Sequence, residues 1–97
     1  MKKFVVLTYG FTVPTDEVKQ AWGEWFGRVA SKLVDPGCPF GRGVELTHDG
    51  RTDLDLESPH PLVGYCILNA DSLEEAEALV STMPIIDSVR VYEAHSM

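Results

Sequence analysis

The 97 residues predict an α+β domain with the order strand-helix-strand, strand-helix-strand, and three observations carry that reading. Segments 3–9 and 62–70 are rich in β-branched and aromatic residues, with apolar side chains at successive positions, as strands are. Between them, the stretch from 18 onward places Trp22, Phe26, Val29 and Leu33 at helical spacing. A second helical pattern follows segment 62–70 directly, with Leu73, Ala76, Leu79 and Val80 on one face.

The first strand, 3–9, is apolar on both alternating sets, Phe4/Val6/Thr8 and Val5/Leu7/Tyr9. After a connection over 10–14, Thr15 is a good N-cap, with Asp16 and Glu17 in the first turn where carboxylates suit the positive helix end. A row of small residues, Gly23, Gly27 and Ala30, runs beside the apolar stripe. Each glycine costs about 1 kcal/mol relative to alanine, which predicts close approach of helix to sheet, or room for a ligand. The helix is expected to stop near Val34, because Asp35-Pro36-Gly37 and Pro39 cannot continue it. Residues 42–47 predict a second, weaker strand near an edge, His48-Asp49-Gly50 a turn, and 51–61 a loop. Asp71 is the expected cap of the second helix, with Glu74 as its capping-box partner, and Pro84 the expected stop. Residues 89–94 predict the last strand.

Right-handed crossovers fold two such units into one four-stranded antiparallel sheet with both helices on one face, the ferredoxin-like split βαβ arrangement. Residues 1–97 are read as one such domain, without linker or low-complexity tract. A strand apolar on both faces needs cover on both. The helices supply one cover, and a chain this short is not expected to contain a second sheet, so the other cover is predicted to be a second copy of the chain. A domain of this size buries only roughly 60–65% of its unfolded surface, which makes a homodimer an added source of stability.

Eight basic against fifteen acidic residues give a net charge of −7. No clustered positive footprint exists for a phosphate backbone, so nucleic acid is not an expected partner. The apolar run from Phe4 to Leu7 is too short for a signal peptide, and no stretch reaches the ~18 residues of a membrane span. Cys38 and Cys66 lack metal or redox spacing, which predicts reduced thiols in a cytoplasmic protein, the alternative being a disulfide between the two.

The segments AWGEWF, DPGCPFG, GYCILNADSLEEAEAL and SVRVYE together resemble the YCII-related proteins, in particular the subgroup with DGPF-type domains. The resemblance covers nearly the whole chain. It implies a ferredoxin-like α+β fold that dimerises through its sheets into a dimeric α+β barrel. One branch of the family is thought to use a histidine on the first helix and an aspartate near the end of the second as a dyad, and one relative is a dehydrochlorinase acting on a chlorinated hydroxyquinol. Here the first helix has no histidine, and the second ends in STMPII with no acid before Asp87. Neither the dyad nor that activity carries over.

Trp22, Trp25 and Phe26 are candidate walls of an aromatic pocket, the alternative being helix-to-sheet core; Trp25, at the margin of the stripe, is the tryptophan expected at a cleft or dimer seam. Tyr9, at a strand end beside a loop, is a candidate pocket hydroxyl or an ordinary half-buried strand tyrosine. Arg42 is a candidate for pairing with an anionic substrate group, or else a solvated edge arginine. His60, flanked by Pro59 and Pro61, is the candidate general base, the alternative being a surface loop histidine. The three histidines share no ligand spacing, and Asp53, Asp55 and Glu57 lack the glycine and distal glutamate of a calcium loop, so no metal is expected.

The expectation is therefore a small homodimer with a partly apolar pocket for a small cyclic or aromatic acid. It would isomerise or eliminate from its ligand by acid/base chemistry without a cofactor, with Tyr9 and His60 as polar participants. The other reading is a non-catalytic dimerisation or ligand-sensing module.

Overall fold

In a computed structural model, which describes residues 1–96, the chain forms two helices, a four-stranded antiparallel sheet and a separate two-stranded sheet. Strand β1 (Lys2–Tyr9) lies in the centre, between β5 (Leu62–Ala70) and β6 (Ser88–Ala94). The short β2 (Leu33–Asp35) completes the order β2-β5-β1-β6. Helix α1 (Asp16–Val29) and helix α2 (Leu73–Val80) both cover one face.

Strand periodicity explains which face. Phe4 and Val6 of β1 and Cys66, Leu68 and Ala70 of β5 are buried, and they meet Trp25 and Val29 of α1 and Ala76 and Val80 of α2. Each large apolar side chain buried in this way contributes about 1.5–3 kcal/mol. The opposite face carries Val5, Leu7, Tyr65 and Ile67, all half-buried, and Tyr92, which is 53% exposed. Among the described residues, no element covers it as the helices cover the other side.

The first helix begins as expected, with Thr15 Oγ1 accepting from the Val18 N–H at 3.2 Å. It ends five residues earlier than its apolar spacing predicts. A 3-10 turn over Ala30–Lys32 follows, and Leu33–Asp35 pairs with the edge of β5. Backbone hydrogen bonds at an open strand edge have overridden the helical pattern there. The segment read as a second strand forms β3 (Gly43–Thr47), but it pairs with β4 (Gly50–Leu54), which lies in the stretch read as loop. A second sheet therefore exists, contrary to expectation, as a hairpin whose ten strand residues are all exposed. The cap of α2 is Ser72, one residue later than predicted: its Oγ accepts from the Glu75 N–H at 3.1 Å, while Glu75 Oε2 accepts from the Asp71 N–H at 3.1 Å. The forward half of a capping box is therefore present one position later than expected, while its return bond goes to the residue before the cap. Leu73, expected in the core, is 49% exposed.

The glycine row of α1 is a further correction. Gly23 and Gly27 are exposed, and a Cβ at either would meet no atom within 4 Å. They allow no close approach of helix to sheet. A glycine is required instead at Gly37, at φ +75°, where a Cβ would collide with the Tyr65 carbonyl oxygen. That contact lets the DPGCPF loop run along β5, with the Phe40 N–H donating to Val63 O at 2.8 Å.

Candidate functional site

The loop over 36–40, the connection over 10–14, one face of α1 and the end of the sheet enclose a cleft of about 590 Å³. That volume suits a small organic molecule. Trp22 and Phe26 form one wall, with ring centroids 5.8 Å apart. Phe40 and Tyr65 border it on the loop side, and their rings stack at 5.8 Å and 15° with Tyr65 pointing to the sheet face that the helices leave open. Leu56 and Met83 also line the cleft. Among the lining residues, Lys19 carries the one formal charge.

Trp25, expected at the margin, is fully buried instead and does not line the cleft. Its indole Nε1–H donates to Leu79 O at 3.0 Å, which satisfies the one polar atom and ties α1 to α2. Trp22 is the tryptophan at the cleft. The helix turns Trp25 and Val29 straight into the core and leaves Trp22 and Phe26 beside it, half-buried. Arg42 is exposed, ahead of β3, and outside the cleft.

Two further groups shape the loop side of the cleft. Asp35 Oδ1 accepts from the Gly37 N–H at 2.8 Å and Oδ2 accepts from Tyr65 Oη at 2.9 Å. The hydrogen bond to Asp35, together with its negative charge, raises the Tyr65 phenol above its ordinary value, so the phenol stays protonated and donating. Both thiols are free. Cys38 is exposed, whereas Cys66 is buried, and burial with the nearby Asp35 charge pushes its thiol up to about 11.

Tyr9 and His60 do come together, and with a carboxylate, but away from the cleft lining. Their rings stack at 4.4 Å with planes 8° apart. His60 Nδ1 lies 2.7 Å from Asp87 Oδ2, and Nε2 lies 3.5 Å from Ser88 Oγ. The Arg90 guanidinium sits 4.8 Å from the centroid of the Tyr9 ring. His60 has a left-handed backbone, φ 51°, between its two prolines. Such a conformation is costly for a non-glycine residue and persists only where surroundings enforce it. The enforcing contacts are the Tyr9 stack, the Asp87 pair and the neighbouring Gly10 N–H, which donates to Pro61 O at 2.9 Å.

Asp87, Ser88, Arg90, Lys19 and Phe40 are the site residues that sequence reasoning missed. Asp87 stands 27 residues from His60, and only sheet register joins them: Tyr9 faces Ser88 across β1 and β6. The one sequence signal was that Asp87 is the first acid after the second helix. Compared with known proteins, the chain matches no protein-family model and no curated protein.

Proposed function

We propose that the protein is a YCII-related, ferredoxin-like homodimer of the cytoplasm whose cleft binds a small cyclic or aromatic acid without a cofactor. The observation that carries this reading is the cleft itself. Trp22 and Phe26 offer flat apolar surfaces, and Lys19 is the one cation set to meet a ligand carboxylate. The strand order β2-β5-β1-β6 with both helices on one face supports the ferredoxin-like topology, the β3–β4 hairpin being an insertion between its halves. The half-buried apolar face over Val5, Leu7, Ile67 and Tyr92 supports dimerisation through the sheet. Two free thiols support a reducing compartment.

A thermal-shift screen of small aromatic and lactone acids tests the binding reading, because a ligand bound only by the folded chain raises its stability. Acids are expected to raise Tm in the wild type, and Trp22→Ala to lose the shift. Lys19→Met is expected to weaken acids selectively and leave neutral analogues unaffected. A panel without any shift overturns the reading.

A second reading, cofactor-free acid/base catalysis by an isomerase or lyase, is favoured by a different observation: the His60–Asp87 pair at 2.7 Å with Tyr9 stacked on it. Asp87 accepting from Nδ1–H leaves Nε2 free to take a proton, the arrangement a general base requires. Since neither Tyr9 nor His60 lines the cleft, binding and catalysis separate under mutation: His60→Asn is expected to abolish turnover while leaving the Trp22-dependent thermal shift intact.

A further inference from the structure

We propose that Ser88, His60 and Asp87 form an acyl-transfer site at the end of the open sheet face, hydrolysing small esters or lactones. The proposal rests on the reading of His60 as a base and adds to it a nucleophile, a substrate class and a place. The two imidazole nitrogens are used in the order this chemistry requires: Nδ1 meets Asp87 Oδ2 at 2.7 Å and Nε2 meets Ser88 Oγ at 3.5 Å. With the ring proton on Nδ1 and donated to Asp87, Nε2 presents its lone pair and the Ser88 hydroxyl donates into it. A nucleophile, a base and a group that orients the base thus stand in sequence. The longer second distance is of the kind that tightens when substrate binds.

The fold holds these groups in place. Ser88 opens β6 directly opposite Tyr9, and the Asp87 N–H donates to Tyr9 O at 3.3 Å, so both are tied to the central strand. Gly10, at φ +97°, has no Cβ to push Asp87 away. His60 is stacked on Tyr9 and set between prolines in a left-handed backbone. Arg90 lies two residues beyond Ser88 on the same face of β6, and its guanidinium rests over Tyr9, the ring on which His60 is stacked, so it helps hold the support of the base in place. The His60 and Asp87 side chains are 42% and 52% exposed, so a small substrate reaches them from solvent. The cluster lies at one end of the sheet, where β1 ends at Tyr9 and β6 begins at Ser88, with His60 and Asp87 in the adjoining connections, leaving it at the rim when a partner sheet covers Val5, Leu7 and Ile67.

In the first step Ser88 Oγ forms a bond to the ester carbonyl carbon while its proton passes to His60 Nε2. The tetrahedral intermediate then breaks its bond to the alcohol oxygen, which leaves with the proton from Nε2. Water, deprotonated by the same nitrogen, cleaves the acyl-Ser88 ester and releases the acid, returning the proton to Ser88. No oxidant, reductant or second substrate besides water is consumed.

The test uses the full-length protein with 4-nitrophenyl acetate. Ser88→Ala and His60→Asn are expected to lose at least about 100-fold in kcat/KM, asparagine being chosen because it tolerates the left-handed backbone. Asp87→Asn is expected to lower kcat and alter the pH profile. A fluorophosphonate is expected to label the wild type on one peptide, at Ser88, a readout independent of how any variant folds. If the wild type hydrolyses the ester no faster than free imidazole, or the label lies elsewhere, the proposal is overturned. If His60→Asn loses activity while Ser88→Ala retains it, the nucleophile is overturned and the base reading stands; if both retain it, both readings fall.

Discussion

At the scale of single residues, the two cysteines contrast most in their chemistry. Cys66 lies in the core beside Leu68 and Trp25, and burial holds its thiol near pKa about 11, against an ordinary value of 9.0. Only the thiolate reacts. Iodoacetamide at neutral pH is therefore expected to alkylate exposed Cys38 and to reach Cys66 only in denaturant, with mass spectrometry counting the adducts. The same shift fixes a sign for stability. Above pH 9 the unfolded chain releases the Cys66 proton while the folded chain keeps it, so the stabilisation present below pH 9 is lost as pH rises towards 11. Cys66→Ala should flatten that decline in urea titrations. Glycines divide in a similar way. Gly37→Ala forces a Cβ into the Tyr65 carbonyl and is expected to cost more than 1 kcal/mol. Gly23→Ala and Gly27→Ala meet open space and are expected to stabilise by about 0.5–1 kcal/mol each. Equal loss at all three positions would contradict the assignment of strain to Gly37 among these three.

Among the elements, what could be read from sequence divides according to whether the forces are local. β5 has the predicted bounds, and the cap at Thr15 is where its side chain says it should be, because strand composition and capping act over a few residues. Thr15→Ala and Ser72→Ala are each expected to cost about 1 kcal/mol in denaturant unfolding, since both hydroxyls accept helix N–H groups. Asp71→Ala should cost less, since Asp71 contributes its backbone N–H and not its side chain. Sequence reasoning failed where partners are distant. Leu33 fits the stripe of α1, yet the edge of β5 draws it into a strand. The polar stretch from Arg51 to Asp53 looks like a loop, yet β3 offers it a partner, and Arg51 pairs with Asp53 at 2.8 Å. The candidate site follows the same division. Tyr9, His60 and Trp22 stood out through residue type and position, whereas Asp87 and Ser88 acquire a role only through the β1–β6 register.

For the molecule as a whole, the two faces of the main sheet have unequal fates. Helices bury Phe4, Val6 and Leu68 completely, whereas Val5, Leu7 and Ile67 stay half-buried and Tyr92 lies 53% exposed. Contiguous apolar surface of this kind marks an interface, and a stable one takes about 800 Å² from each partner. A two-fold pairing of the open faces, as proposed above, would complete the cover that an apolar strand needs on both sides. Light scattering at micromolar concentration should then give twice the 10.7 kDa of one chain. Ile67→Arg is expected to return it to one chain while retaining the fold, because that face is not part of the helical core. A wild-type mass of one chain would remove the dimer. Retention of the dimer by Ile67→Arg would instead move the interface elsewhere, with the fully exposed β3–β4 hairpin and its Val44 and Leu46 the next surface to test.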